Sequence, residues 1–390
     1  MKRIFLIIAI FLCNQIQINA QMQDVGIAKY AVLEVLGDNT PLREKGCEKS
    51  NRVTHVFKDA VLFADKQTDD YFRVELNENN YAWINKKFVE VQAIIPEKRF
   101  DNIEKISFKS EKKFYKTKIE TPSQSAFLIK EEGNNLDFTL FDNRYDPIET
   151  SLEKNDKFLI PEKITNELNI KYNNKKPLFG YDVEKYEKGY IYTIKKAPKV
   201  SCKRPLKDMI VVVDPGHGGS EKGVVAFGIE EKKVNLDISK KLRKELRKKG
   251  ATVYMTRKKD INVPLYDRPK FAKEKNADIL LSIHQNSLEN RAEITYKYGV
   301  GTYYYHPQSK DLAQKIQENL IVATNFRDDK VNHRSFVLTR PTNQISVLVE
   351  CGYLIRKEEA DKLVDKKFQK NIAKAITKGC EEYLIKNFTN

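Results

Sequence analysis

The hydrophobic pattern of the chain changes at Met209, and this change constrains the fold more than any other sequence feature. Beyond Met209, compact apolar runs of strand length alternate with segments that have the apolar period of a helix. The helical segments are 231–249, 265–275, 309–324 and about 369–387. Strands that alternate with helices predict an α/β domain over residues 205–390, with a mostly parallel or mixed sheet flanked by helices.

The residues before this domain predict all-β modules. Residues 25–95 and 96–200 consist of short apolar runs separated by polar turns, which is typical of short strands. In the first range, Thr40-Pro41-Leu42-Arg43 and Tyr81-Ala82-Trp83-Ile84 resemble the bacterial SH3-like domains attached to many cell-wall enzymes. We therefore expect an SH3-like β-barrel over 25–95, with Trp83 packed in its core, and a β-rich middle domain over 96–200.

Residues 1–20 have the organisation of a secretory signal peptide. Basic Lys2 and Arg3 precede an unbroken apolar run from Ile4 to Cys13, and a polar stretch then ends at Ala20. This apolar run is too short for a spanning helix, which needs about 20 residues. We expect an exported protein, periplasmic or secreted, without stable membrane insertion.

The charge of the chain favours an anionic polymer as partner. It has 70 Lys and Arg against 54 Asp and Glu, a formal net charge of +16. Cell wall, lipid head groups and nucleic acid all fit such an excess. The lysine-rich segment 240–249 predicts the solvent-exposed face of an amphipathic helix. No aromatic residues alternate with these lysines, so no nucleic-acid partner is predicted.

Export would permit disulfides among the four cysteines beyond the signal segment. Their spacing contains no CxxC, so it indicates neither a zinc ribbon nor a thioredoxin-type site. Three complete pairings are compatible with the sequence, and free buried thiols are equally compatible. These cysteines are Cys47, Cys202, Cys351 and Cys380.

Chemically active side chains stand at the ends of three predicted strands of the α/β domain. His217 follows the first strand, His284 ends the second, and Glu350 ends the third. Open α/β sheets bind ligands in the crevice at the carboxyl ends of their strands, so we expect these side chains to converge. The glycines at 216, 218 and 219 predict a tight left-handed turn that presents His217 outward.

A further carboxylate comes from the helix that follows. Glu231 falls on the apolar face of this helix, whereas Glu230 points about 100° away towards solvent. An inward-facing carboxylate needs a partner, and a metal ion could be that partner. The alternative interpretation is that Glu231 is a solvated first-turn acid favoured by the helix dipole. Two His and one Glu are the usual three protein ligands of a catalytic zinc ion, with the fourth position left for water.

A zinc site of this kind suits amide hydrolysis, because bound zinc lowers the pKa of water to roughly 7 and polarises a carbonyl. It still needs a base that takes the proton of the water and returns it to the leaving nitrogen. We assign this role to Glu350, since a carboxylate without a role would be costly to bury beside the apolar Val347-Leu348-Val349.

Four ordered motifs resemble the zinc-dependent N-acetylmuramoyl-L-alanine amidases. They are DPGHGG at 214–219, EKxxxL at 231–236, SIHxN at 282–286 and LVExG at 348–352. The resemblance implies that His217, Glu231 and His284 hold Zn²⁺ and that Glu350 is the catalytic acid/base. Members of this family cleave the amide between N-acetylmuramic acid and L-alanine, so peptidoglycan is the expected partner. An activator protein is neither indicated nor excluded.

Other interpretations stay open beside the amidase. One is a non-catalytic cell-wall-binding or activator protein with an amidase-like domain; another is a zinc hydrolase that acts on a different amide. The segment between Asn286 and Gly301 is short, which predicts that the chain lacks the blocking helix of division-associated members. The remaining histidines, His55, His306 and His333, are expected in surface or hydrogen-bonded roles.

Overall fold

The computed structural model describes residues 30–77, 80–152, 158–286 and 298–389. The expected signal peptide lies outside these ranges, as does most of the segment expected to lack a blocking helix. The chain forms two compact units. The first runs up to Ser110 and includes Lys116–Asn173 and Val183–Tyr192, and the second comprises Glu111–Tyr115, Asn174–Asp182 and Thr193–Asn390. The expected boundaries at 25–95, 96–200 and 205–390 stay predictions.

The first unit begins with a seven-stranded sheet of order β3-β2-β6-β5-β4-β1-β7. In β1 every second residue is buried, as the two-residue period of a pleated strand predicts, and these residues are Ala31, Leu33 and Val35. The strands are β1 (Tyr30–Val35), β2 (Thr40–Arg43), β3 (Arg52–Val56), β4 (Val61–Gln67), β5 (Tyr71–Asn77), β6 (Asn80–Asn85) and β7 (Val89–Ile95). The SH3-like identity of this region stays a prediction.

The expected core position of Trp83 is wrong. Its neighbours Ala82 and Ile84 are fully buried in the core of the sheet. Since successive side chains of a strand point to opposite faces, Trp83 projects from the other face. There it is half-buried over Gly46, where an added Cβ would lie 3.0 Å from the indole ring.

Short strands continue through the following residues, so the region before the α/β domain is largely β. They form sheets of order β14-β9-β10-β18-β17, β11-β12-β16-β15 and β13-β8. The strands are β8 (Asp101–Asn102), β9 (Lys105–Ser110), β10 (Phe114–Glu120), β11 (Phe127–Glu132), β12 (Asn135–Leu140), β13 (Asn143–Arg144), β14 (Ser151–Leu152), β15 (Phe158–Leu159), β16 (Leu168–Tyr172), β17 (Tyr181–Tyr186) and β18 (Gly189–Lys195).

The second unit contains a six-stranded mixed sheet of order β22-β19-β23-β26-β24-β25. Strands β22, β19, β23 and β26 run parallel, and β24 is antiparallel to β26. The strands are β19 (Ile210–Pro215), β22 (Thr252–Met255), β23 (Ile279–Asn286), β24 (Val300–Tyr304), β25 (Asp328–His333) and β26 (Ile345–Tyr353), and a short hairpin joins β20 (Val225–Ala226) to β21 (Ile229–Glu230). The α/β fold expected from the sequence is confirmed.

Four helices of this unit lie near the segments that the apolar period predicts, whereas the helix Lys357–Val364 was not predicted. The helices are α1 (Glu231–Lys248), α2 (Asp267–Glu274), α3 (Lys310–Thr324), α4 (Lys357–Val364) and α5 (Lys366–Phe388). The buried face of α1 includes Val234, Ile238 and Leu242, which join the strands in one apolar core. Among the described residues, no helix combines the length and apolarity needed to cross a membrane.

Strand β26 extends further than the sequence predicts. Glu350 lies inside this strand rather than at its end, because the strand continues to Tyr353. The apolar run ends at Val349, but β24 still pairs with β26 at this point through Gly301 and Glu350. Main-chain pairing with β24 therefore extends β26 beyond Glu350 to Tyr353.

The four cysteines in the described ranges are free thiols. Cys47 and Cys202 are exposed, whereas Cys351 and Cys380 are buried. None of the three complete disulfide pairings is formed, and the two buried cysteines pack as small apolar side chains of the core.

Candidate metal centre

A tight loop after β19 presents His217. His217 has a left-handed φ of 58°, and Gly218 and Gly219 also have positive φ, at 137° and 59°. Gly216 is needed for a different reason than the sequence predicts. An added Cβ would lie 2.6 Å from Nδ1 of His284, so the absence of a side chain at Gly216 makes room for the second imidazole.

The side chain of Glu231 extends from the first turn of α1 towards His217 and His284. Its side chain is 2% exposed, which confirms the inward orientation predicted from the helical face. Oε2 accepts a hydrogen bond from Val224 N at 2.9 Å, and Oε1 accepts from Asn235 Nδ2 at 3.0 Å and from Gln285 N at 3.1 Å. These donors hold the carboxylate in one orientation.

Glu230 lies on the solvent-facing side of the helix, as its position in the sequence predicts. Its carboxylate lies 2.8 Å from Lys233 Nζ and 3.5 Å from Lys222 Nζ, in partly solvated ion pairs. The nearby lysine charges, with the Lys233 hydrogen bond as the largest contribution, lower the pKa of Glu230. Only the second of the two adjacent glutamates therefore faces the histidines.

The side chains of His217, Glu231 and His284 meet at one point. His217 Nε2 lies 3.2 Å from Glu231 Oε2, and His284 Nδ1 lies 3.1 Å from Glu231 Oε1. One ligand atom from each residue lies within 4.8 Å of the others, so the group could hold a metal ion. Two imidazole nitrogens and a carboxylate oxygen are the donor set that zinc takes in catalytic sites. The residues present therefore fit zinc.

The surroundings of Glu231 favour its ionised form. Burial alone would raise the pKa of Glu231, but hydrogen bonds and electrostatic interactions with His217 and His284 outweigh it and hold this pKa below its usual range. The group thus offers an ionised carboxylate, as a metal ligand must be.

Glu350 lies beside this group on the neighbouring strand. In the parallel register of β23 and β26, Glu350 pairs with His284. Its Oε2 atom is buried and has no hydrogen-bond partner among the described residues. Burial, reinforced by the negative charges of Glu231 and Asp329, raises the pKa of Glu350 well above its ordinary value. Glu350 therefore holds a proton more readily than an exposed glutamate.

A buried ion pair supports the loop that carries His217. Asp214 is fully buried and accepts hydrogen bonds from Thr256 Oγ1 at 2.6 Å and Ser282 Oγ at 2.7 Å. Arg268 Nη1 donates to the same carboxylate at 2.8 Å, and Arg268 Nη2 donates to the carbonyl oxygen of His217 at 2.9 Å. The pair therefore links the end of β19 to the backbone of the first histidine.

A second buried arginine joins this loop to α1. Arg257 donates to the carbonyl oxygens of Pro215 at 3.0 Å, Gly216 at 2.9 Å and Lys232 at 2.7 Å. Burial lowers the pKa of Arg257 from its usual value. These contacts fix the distance between the histidine loop and the helix that carries Glu231.

Sequence reasoning assigned no roles to these supporting residues. Asn235 could have been found, because it lies one helical turn after Glu231 on the same face. Its side chain donates to Glu231 and accepts from Gln285 Nε2 at 3.1 Å. No periodicity in the sequence predicts that the side chains of Arg257 and Arg268 are buried and donate to backbone carbonyl oxygens.

Two of the other histidines, His306 and His333, have the hydrogen-bonded roles expected, whereas His55 is half-buried against aromatic rings. His55 packs edge-on against the rings of Phe57 and Phe127. His306 Nε2 lies 2.9 Å from the carbonyl oxygen of Arg340, and His333 Nε2 lies 2.9 Å from that of Tyr305.

Comparisons with known proteins converge on one family. Residues 211–382 match the family model described as N-acetylmuramoyl-L-alanine amidase. The chain is 33% identical to the uncharacterised protein YqiI of Bacillus subtilis over 187 residues, which are 48% of this chain and 90% of YqiI. It is 32% identical to the N-acetylmuramoyl-L-alanine amidase LytC of Bacillus subtilis over 181 residues, 46% of this chain and 36% of LytC.

Other relatives are matched over a similar share of the chain. The probable cell wall amidase LytH of Staphylococcus saprophyticus is 32% identical over 191 residues, 48% of this chain and 62% of LytH. A solved N-acetylmuramoyl-L-alanine amidase from Clostridium difficile 630 is 34% identical, with 46% of this chain and 97% of that chain covered and a TM-score of 0.44. The chain thus spans about a third of LytC and less than two thirds of LytH.

The family assignment follows from identity and coverage together. A relative with 33% identity is covered over 90% of its length, and the family model matches the residues that form the mixed sheet and its helices. The chain belongs to the N-acetylmuramoyl-L-alanine amidase family.

Proposed function

We propose that this chain is a zinc-dependent hydrolase that cleaves the amide bond between N-acetylmuramic acid and L-alanine in peptidoglycan. The observation that carries this proposal is the convergence of His217, Glu231 and His284, whose ligand atoms lie within 4.8 Å of one another. Family membership supplies the reaction class, and the donor set supports zinc as the metal.

The three ligands are held before any substrate arrives. His217, Glu231 and His284 would hold zinc, which when bound lowers the pKa of a water ligand to roughly 7 and polarises a carbonyl oxygen. Glu231 is oriented by Val224 N and Asn235, so its carboxylate does not need to reorganise. Such supporting hydrogen bonds set the geometry and basicity of metal ligands.

Glu350 would move the protons of the reaction. As a carboxylate it takes a proton from the attacking water while the water oxygen bonds to the amide carbon. As the acid it returns this proton to the nitrogen when the C–N bond breaks. The products are a lactyl carboxylate on the sugar and a free amine on L-alanine. A raised pKa suits a group that must carry the proton between these steps.

The proposed substrate fits the charge of the chain and its relatives. The net charge of +16 favours an anionic polymer such as the cell wall. LytH relatives are named probable cell wall amidases, which supports action in the cell envelope. We extend the proposal to the N-terminal β region, which would hold the enzyme on the wall.

Digestion of purified peptidoglycan tests the proposal. We expect the zinc-loaded chain to release peptides with a free N-terminal L-alanine and to leave glycan with free lactyl carboxylates, both identified by mass spectrometry. Chelation should stop this release and added zinc should restore it. The matched control is Glu230→Gln, next to the ligand but paired with lysines, which should leave release unchanged.

Two results would contradict the proposal. A zinc-loaded chain that leaves the wall intact would favour a non-catalytic wall-binding protein. Cleavage of a peptide bond within the stem, with the muramoyl amide intact, would indicate a hydrolase for another amide.

A further inference from the structure

The β20–β21 hairpin rises directly from the candidate metal centre. Glu231 N donates to Val224 O at 2.9 Å, and Val224 N donates to Glu231 Oε2 at 2.9 Å. Beyond this pair of bonds the hairpin continues to a two-residue tip, Phe227-Gly228. At about 3.3 Å per strand residue, the tip stands about 10 Å beyond Val224. The tip is therefore near enough to touch a substrate larger than the amide itself.

Phe227 is an unfavourable residue for this tip. Its φ is 51° and that of Gly228 is 74°, so both central residues of the turn are left-handed. Such turns prefer Asn-Gly or Asp-Gly, because bulky side chains clash with the backbone at positive φ. Six of the nine non-glycine residues with positive φ in the described parts of the chain are Asn or Asp. An aromatic residue here stores strain.

Packing within the protein does not account for the aromatic ring. Phe227 is 56% exposed, and Val225 in the same hairpin is 53% exposed. Lys357 Nζ lies 5.8 Å from the centroid of the Phe227 ring, at the start of α4, shortly after the strand that carries Glu350. A cation–π contact at an exposed site is weak. Strained, exposed residues beside a reactive centre indicate a role in ligand binding.

We propose that Phe227 is a substrate-contacting residue whose ring packs against the apolar C–H face of a sugar in the glycan strand. The inference rests on the proposed function, and it adds the part of the substrate that this hairpin recognises. A flat π-surface suits a pyranose ring, which presents C–H groups on one face and hydroxyls at its rim. Stem peptides, with their charged groups, offer less apolar surface.

Replacement of Phe227 separates this role from a structural one. Phe227→Asn removes the ring and places a residue that accepts left-handed φ, so its melting temperature should equal or exceed that of the parent chain. Its KM for soluble disaccharide-peptide oligomers should rise about fivefold, the scale of one aromatic contact, with kcat within about twofold. Phe227→Tyr keeps the ring and should keep the KM. Val322→Asn, at a site 85% exposed on α3, is the matched surface control.

Each other outcome overturns the inference. An unchanged KM in Phe227→Asn means that the ring does not touch substrate. A lower melting temperature in Phe227→Asn means that the ring serves folding. If Phe227→Tyr loses affinity as Phe227→Asn does, an aromatic face is not what the site needs.

A binding measurement separates this inference from the proposed function. In the Glu350→Gln background, which is expected not to turn over, calorimetry would compare peptide-free glycan fragments with glycan-free stem peptides. Weaker glycan binding by Phe227→Asn supports the inference even if the parent chain fails to cleave the wall. Weaker binding of the stem peptide alone would assign the hairpin to the peptide and refute the sugar contact.

Discussion

Substitution of Gly216 by alanine tests whether space for the second imidazole limits metal binding. Gly216 does not have left-handed φ, so alanine at this position adds no backbone strain. An added Cβ, however, would lie 2.6 Å from His284 Nδ1, and nearer still to the other edge of the ring. The perturbation is therefore a methyl group pressed against one proposed ligand.

The size of this contact sets how far the imidazole ring of His284 must move. Ordinary van der Waals contact begins at 3.4 Å, so Nδ1 must recede by about 0.8 Å and the nearer edge of the ring by more. Metal–ligand distances tolerate deviations of only about 0.2 Å. A shift of this size should weaken zinc binding by about 10- to 100-fold, and misplacement near 1 Å should lower the rate by about 100-fold. Overpacking of this kind costs about 1–3 kcal/mol of the free energy of unfolding.

Competition with a chromogenic chelator measures the zinc affinity, and thermal unfolding checks that the variant folds. Gly301→Ala is the matched control, because Gly301 pairs with Glu350 yet an added Cβ would meet nothing closer than 3.6 Å. It should bind zinc like the parent chain. Normal zinc affinity in a folded Gly216→Ala chain would refute the steric reasoning and the assignment of His284 as a ligand.

Three further predictions concern the groups around the centre. Asn235→Leu removes a donor from buried Glu231; zinc affinity, measured by chelator competition, should fall about 10- to 100-fold, and an unchanged affinity would show that this support is dispensable. Arg268→Met leaves the fully buried Asp214 without its cation, and urea unfolding should show a loss of about 3–5 kcal/mol, whereas a loss below about 1 kcal/mol would contradict the buried pair. Because folding raises the pKa of Glu350, the free energy of unfolding of the metal-free chain should fall as pH rises above about 4.5. The Glu350→Gln chain should lose less of this free energy between pH 5 and pH 8. Parallel profiles of unfolding free energy against pH for the two chains would argue against the raised pKa.

The sequence predicted the parts of the site that depend on periodicity. The helical face placed Glu231 inward and Glu230 outward, and nearness to the carboxyl ends of β19 and β23 placed His217 and His284 at one edge of the sheet, although β23 continues past His284 to Asn286. Both inferences follow from repeat geometry, which local sequence specifies. The family motifs then agreed with the residues that geometry had selected.

Features that depend on tertiary contacts were beyond the sequence. The extension of β26 past Glu350 depends on its pairing with β24, and the half-buried position of Trp83 depends on which face of its sheet is covered. The sequence predicted Gly216 as part of a tight left-handed turn, yet its role is set by a histidine 68 positions later in the chain. Long-range contacts of this kind leave no local pattern.

X-ray absorption at the zinc edge tests the central claim most directly. We expect one zinc ion per chain, bound by two imidazole nitrogens and carboxylate or water oxygens at about 2.0–2.2 Å. Glu231→Gln should lose this signature, and Glu350→Gln should keep it. A sulfur shell at about 2.3 Å would instead assign the metal to the exposed thiols of Cys47 or Cys202. Failure of the folded chain to retain zinc would also contradict the account.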